Sequence, residues 1–203
     1  MTKINEILFP NAFWSTKNNK ILLTIDDSPT KKGTEKILKI LNNNKIKALF
    51  FINGTEAIKY QNLINEIFSE GHSIGNHSFN HKSLLFKSKK LIKYEILKTD
   101  EIITKTLNIA PKYFRPPYGR FNFYSKIINI LNKRIVMWDV FTYDYKNNPK
   151  IIKFAIRKCK TNSIIVMHDN IKTENYIEHN YGLVIDYLLN NSFNIGEADE
   201  CLS

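Results

Sequence analysis

Short apolar runs alternate with amphipathic stretches along almost the whole chain, and this alternation restricts the fold more than any other feature. The runs at 21–25, 48–52, 72–74, 113–114, 134–138, 163–167 and 193–195 are brief and mostly rich in Ile, Val, Leu and Phe, as buried strands are. Between them, 34–41, 56–69, 91–107, 124–131, 149–158 and 181–189 carry apolar residues at helical spacing. Thr34 reads as the cap of the first helix and Gly71 as the stop of the second. Connections this long are not hairpins, so the strands run parallel. A parallel sheet either stays open or closes into a barrel. No G-x-G-x-x-G and no P-loop is present, so nucleotide binding has no motif. Polar residues instead gather just past strand ends: Asp26 and Asp27, His77, Arg115, Asp139 and His168. In a barrel such positions converge at the C-terminal mouth of the strands. The expectation is an α/β fold with parallel strands inside and helices outside, forming one domain over residues 1–203. Residues 1–19 read as irregular, with Phe9, Phe13 and Trp14 laid across one end.

A chain of 203 residues with 43% hydrophobic and 24% charged residues fits one globular domain. Its net charge of +11 raises the question of an anionic partner. The lysines are scattered, however, and no dense basic run is interleaved with aromatics, so no nucleic-acid partner is expected. Cys159 and Cys201 stand alone, which argues against a disulfide framework or a Cys-type zinc site. No apolar run approaches the roughly 18 residues of a membrane span, so no transmembrane segment is expected. The first 20 residues lack an apolar stretch of signal-peptide length. A cytoplasmic location is the expectation, with export or a removed leader as the alternative. The oligomeric state is left open.

The stretch Leu22-Leu23-Thr24-Ile25-Asp26-Asp27-Ser28-Pro29 ends a buried run in two adjacent carboxylates. Like charges side by side raise each other's pKa, and a cation relieves that. Asp and Ser also serve as helix N-caps, which is the plainer use of one such residue. His77 and His81 lie four residues apart, a spacing that places two imidazoles on one face of a helical turn. Ser78 stands where a zincin would have Glu, so this is not H-E-x-x-H. Two His plus one carboxylate make a catalytic type of metal set, with positions open for water and substrate. The plainer reading is a pair of surface or core histidines. His168 ends a strand and suits a general acid, or simply caps that strand. Arg115 before Pro-Pro-Tyr-Gly is a rigid cationic strand exit able to hold a carboxylate, or a surface Arg beside a turn. His72 and His179 read as structural or surface residues.

Taken in order, Asp26-Asp27, His77-x-x-x-His81, Arg115-Pro-Pro-Tyr-Gly and Val166-Met-His168 resemble the motifs of the polysaccharide deacetylases, the NodB-homology group or carbohydrate esterase family four. The resemblance runs from about Leu22 to Asp169. It implies a distorted seven-stranded (β/α) barrel. It implies a hydrolase that removes acetyl groups from N-acetylated sugars, as an oligosaccharide, a peptidoglycan fragment or a glycan precursor. By the resemblance, Asp27, His77 and His81 bind one divalent metal ion, zinc foremost, with cobalt or nickel as alternatives. Asp26 is the base that takes a proton from the metal-activated water, and Arg115 pairs with it. The backbone N–H of Tyr118 helps bind the oxyanion. His168 protonates the leaving amine, and Asp144 orients it, with Asp139 as the nearby substitute. Pro117, Trp138 and Val166 face the substrate, Val166 at the acetyl methyl. The chain departs from the family pattern at Ser28, where Gly is usual. It departs again at Phe141 and Tyr145, where an acid and a Trp are usual. Those changes leave room for a deformylase, an O-acetyl esterase or a cyclic amide hydrolase on the same scaffold. A reading of another class is an inactive glycan- or polyanion-binding barrel.

Overall fold

The structure, a computed structural model, describes residues 11–120 and 131–203. The helix expected at 124–131 therefore falls almost wholly outside the described residues, as does Phe9. Among the described residues, eight strands form one sheet: β1 (Ala12–Phe13), β2 (Leu22–Ser28), β3 (Leu49–Ile52), β4 (Ser73–Asn76), β5 (Tyr113–Phe114), β6 (Arg134–Val136), β7 (Val140–Phe141) and β8 (Ile164–His168). Their order is β1-β6-β5-β4-β3-β2-β8-β7, and every pairing is parallel. The expected barrel of parallel strands with helices outside is the observed fold. The strand count differs from seven. Two-residue strands too short to show a period, β1 and β7, join the sheet, whereas Ile195 adds only an isolated bridge to Ile21.

Helices α1 (Gly33–Asn43), α2 (Gly54–Lys59), α3 (Gln61–Ser69), α4 (Lys89–Leu107), α5 (Pro149–Ile156) and α6 (Ile177–Asn190) connect the strands. The single helix expected at 56–69 is two, broken at Tyr60. Gly71 does end the second, with φ +83 in the left-handed region that glycine takes without cost. Thr34 is not a cap. It lies inside α1, is fully buried, and donates to the Asp169 carboxylate at 2.5 Å.

The two faces of the sheet hold separate cores, which is why its central strands are apolar on both sides. On the outer face, Ile21, Leu23, Ile25, Phe50, Ile165 and Met167 pack against helix residues such as Ile37, Leu41, Ile64, Val184 and Leu188. On the inner face, Leu22, Leu49, Phe51, Tyr113, Val136 and Ile164 meet Ala198, Cys201 and Leu202. Leu22, Leu49 and Ile164 begin their strands. The short C-terminal helix α7 (Ala198–Cys201) therefore stops the barrel at the N-terminal ends of its strands. Tyr113 Oη fixes it there by donating to Asp199 at 2.8 Å. Function is left to the opposite, C-terminal end.

Candidate active site

Adjacent residues of a regular strand point to opposite faces, yet Asp26 and Asp27 both serve the mouth. A β-bulge resolves this. The register of β2 against β3 shifts between Ile25 and Ser28, and Asp27 takes φ 71. Asp26 continues the inward face of Leu22 and Thr24, and the bulge turns Asp27 back toward the same opening.

Asp26 is buried and accepts from Arg115 Nη1 at 2.7 Å. Arg115 itself has no exposed surface. Its Nη1 also reaches Thr24 Oγ1 at 2.7 Å, its Nε donates to Val136 O at 2.9 Å, and its Nη2 donates to Met137 O at 2.8 Å. The guanidinium lies 4.3 Å from the Phe51 ring centre and 5.4 Å from that of Trp138. A buried charge is tolerable only when paired and hydrogen-bonded, and both conditions are met here. Arg115 is thus an interior strut rather than a surface residue beside a turn.

Asp27, His77 and His81 bring one ligand atom each to within 4.8 Å of one another. His81 Nε2 lies 3.0 Å and His77 Nε2 3.6 Å from Asp27 Oδ1. That oxygen is buried and has no hydrogen-bond partner, which is costly unless a cation takes it. Burial pushes the His77 imidazole below its ordinary pKa, so it is neutral and fit to ligate. Its Nδ1 faces the Arg115 carbonyl at 2.8 Å, which puts the proton there and leaves Nε2 free. Burial works against the Asp27 carboxylate, but His81 beside it holds its carboxyl well below the usual range. An orphaned carboxylate oxygen beside two imidazole nitrogens fits a divalent ion.

His77 and His81 do not share a helical turn, contrary to the spacing argument. They flank a loop in which Ser78 has φ 67 and His81 φ 51. Buried Glu95 on α4 shapes that loop. Its carboxylate accepts from the backbone N–H groups of Phe79 at 3.0 Å and Asn80 at 2.8 Å, and from Asn80 Nδ2 at 2.7 Å.

His168 ends β8, with Nδ1 2.7 Å from Asp144 Oδ1, and its backbone N–H donates to Asp144 Oδ2 at 2.8 Å. Burial would lower the imidazole pKa, but the Asp144 carboxylate reverses that and raises it to about 9. Asp139 is elsewhere. It accepts from Ser163 Oγ at 2.7 Å and from the Ile164 N–H at 2.8 Å, so it fastens the start of β8. Of the two acids, Asp144 is the one that orients His168.

Aromatic rings wall the mouth. Phe141 lies 5.3 Å and Tyr145 5.6 Å from the His168 ring, and Phe141 also meets Trp138 at 5.5 Å and Tyr143 at 4.8 Å. Tyr118 takes φ 60, leaves its side chain exposed, and sets its ring 4.8 Å from His81. Gly119 after it has φ +63, and a Cβ there would come within 2.6 Å of Trp138, so only glycine fits. Pro117 is buried and Trp138 partly exposed. Val166 sits beneath the mouth. It has no exposed surface and lies two residues before His168 on the same strand face, one layer down. The sequence reading passed over Asn170, whose Nδ2 donates to Asp27 Oδ2 at 2.7 Å, although it too is polar and just past a strand end.

The parallel barrel thus carries an Asp-His-His cluster, a buried Asp–Arg pair and an Asp–His pair at one mouth. The polysaccharide deacetylase family model matches residues 15–136, and the chain belongs to that family. It is 39% identical over 128 residues to a peptidoglycan-N-acetylglucosamine deacetylase of Bacillus cereus, covering 63% of this chain and 46% of that protein. The chain spans less than half the length of the first curated relatives it matches. A solved peptidoglycan N-acetylglucosamine deacetylase, in complex with a naphthalenyl-substituted N-oxidanyl-benzamide, superposes with TM-score 0.90 at 28% identity, covering 100% of this chain and 97% of that one. A family four pseudoenzyme from Bacillus anthracis superposes with TM-score 0.83 at 25% identity, covering 94% and 68%.

Proposed function

We propose that the chain is a metal-dependent deacetylase of N-acetylated glycans. The carrying observation is that a buried Asp26–Arg115 pair, an Asp144–His168 pair and an Asp27-His77-His81 cluster open on one mouth. Named relatives act on peptidoglycan, which makes an N-acetylhexosamine polymer the reading of choice for the substrate. Zinc suits the two imidazoles and one carboxylate, with cobalt or nickel as functional substitutes. Held by Asp27, His77 and His81, the ion supplies Lewis acidity, polarising the acetyl carbonyl and acidifying water.

The remaining work falls to the chain's own residues. Asp26, held in place by Arg115, accepts the proton of the attacking water. The N–H of Tyr118 donates to the oxygen on which charge develops, a contact worth roughly 3 kcal/mol. His168, carrying its proton through Asp144, delivers it to the departing nitrogen, without which an amide does not break. Aromatic faces at Trp138, Phe141, Tyr143 and Tyr145 keep water out and give sugar rings a surface to stack on.

Phe141 and Tyr145 favour a second reading, since they change the wall nearest His168. A formyl group or an O-acetyl ester is the alternative scissile group. Deacetylation of N-acetylglucosamine oligomers after chelation, and again after zinc or cobalt is restored, tests the first reading. Loss with chelator and recovery with metal is expected. A chelator-insensitive rate would overturn the metal role, and faster turnover of N-formyl or O-acetyl sugars would overturn the choice of bond. An inactive binding barrel would show metal uptake with no turnover of any of the three.

A further inference from the structure

Asp27 is held at both of its oxygens, but by different means. Oδ1 points at His77 and His81 and has no hydrogen-bond partner. Oδ2 accepts from Asn170 Nδ2 at 2.7 Å. The amide is itself fixed. Asn170 Oδ1 accepts from the Lys172 N–H at 3.0 Å, which decides which end of the side chain faces Asp27. The Asn170 backbone N–H donates to Thr173 Oγ1 at 3.1 Å, and the Thr173 N–H donates back to Asn170 O at 2.9 Å. Thr173 Oγ1 also lies 3.1 Å from the His168 carbonyl.

We propose that Asn170 is a positioning residue for Asp27, holding the carboxylate by Oδ2 so that Oδ1 alone is offered beside the two imidazoles. This rests on the reading of Asp27, His77 and His81 as the metal site. The backbone of Asp27 does not fix the carboxylate by itself, because rotation about Cβ–Cγ exchanges its oxygens. A carboxylate released from Asn170 can turn and present both. That would crowd the positions that water and the acetyl oxygen need. A charged residue at 170 would bring its own attraction or repulsion, and the neutral amide donor avoids both. Asn170 also lies two residues past His168, so one short loop sets the metal-ligand carboxylate and the proton donor relative to each other.

Zinc affinity of the intact chain, read by competition with a chromophoric chelator, tests this. The variants are Asn170→Ala and Asn170→Ser. A serine hydroxyl can still accept from the Lys172 N–H, as in an ST-turn, but is too short to reach Asp27. Both variants are expected to bind zinc about 10- to 100-fold more weakly, as partners of metal ligands generally do when removed. The metal-free Ser variant should unfold at the wild-type temperature. Affinity within twofold of wild type in both variants would overturn the proposal. So would a loss in Asn170→Ala that Asn170→Ser does not share, since that assigns the effect to the turn. A wild-type chain that binds neither zinc nor cobalt would instead remove the metal site itself, and the inference with it.

Discussion

Asp26 and His168 are register partners, facing each other across the parallel pair β2 and β8. The ladder between these strands, rather than any loop, sets their separation. Each residue has a separate counter-charge, Arg115 for Asp26 and Asp144 for His168. Asp144 raises the His168 imidazole to about 9, so it carries its proton at neutral pH as an acid requires, while Arg115 fixes where the Asp26 carboxyl sits.

Asp26→Asn should therefore separate binding from turnover. The amide keeps the shape, and Asp26 is not one of the three residues that would hold the metal, although its Oδ2 lies 3.8 Å from His77 Nε2. Zinc content should match wild type while kcat falls by about 100-fold or more, the typical worth of a positioned general base. Metal analysis and steady-state rates on the same sample check this. Full activity in the variant would show that Asp26 is not the base.

The His168–Asp144 pair makes a pH prediction. With its pKa raised to about 9, His168 carries its proton at neutral pH, and activity should fall as pH rises through that value. In Asp144→Asn the largest attraction is gone, leaving burial against the weaker pull of Asp27 and Asp26, so the alkaline limb should move down from about 9 toward the ordinary imidazole value of about 6.5. The kcat at pH 8 should fall about tenfold or more. Stability follows the same sign. An imidazole whose folded pKa lies above its unfolded value contributes fully below about pH 6.5 and loses that contribution as pH rises through about 9. Thermal unfolding between pH 6 and 10 should show that loss in wild type and a flatter profile in Asp144→Asn.

Strands β2, β3 and β8 were legible because burial on both faces leaves unbroken apolar runs, and their ends marked Asp26, Asp27 and His168 at once. The arrangement around those ends was less so. Nothing in Ile25-Asp26-Asp27-Ser28 announces a bulge, and without one the two carboxylates would point apart. His77 and His81 converge through left-handed residues rather than a helical turn, so the spacing gave the right pair by the wrong geometry. Asn170 and Asp144 acquire partners only when β8 lies beside β2 and β7. Glu95 did leave a signal: it interrupts the apolar stripe Ile92, Ile96, Ile103 on the buried side of α4.

That buried carboxylate carries a third prediction. Glu95 accepts two backbone N–H groups and one amide of the loop between the histidines. Glu95→Ala orphans them and leaves a void, costing about 3 kcal/mol in stability. The loop then loses the anchor that brings His81 to Asp27. Zinc affinity should drop by at least tenfold, and denaturant unfolding of the metal-free protein should show the stability loss separately. A variant as stable as wild type would mean that the loop finds other acceptors.

Phe141 occupies the centre of the aromatic wall, touching Trp138, Tyr143, Tyr145 and His168. The family pattern has an acid at this position, so this chain replaces charge with an apolar face beside its proton donor. An apolar face excludes water and strengthens the His168–Asp144 attraction through a lower local dielectric. Phe141→Ala should open the wall and lower kcat/KM for N-acetylated oligosaccharides by about tenfold, with zinc affinity unchanged because no metal ligand touches the ring. Phe141→Asp should go further. A second carboxylate beside His168 raises the imidazole pKa, moves the alkaline limb of kcat upward, and makes the proton harder to give up. Paired pH–rate profiles of the two variants distinguish lost shielding from added charge. Coincident profiles would show that the ring's place beside His168 is a matter of packing alone.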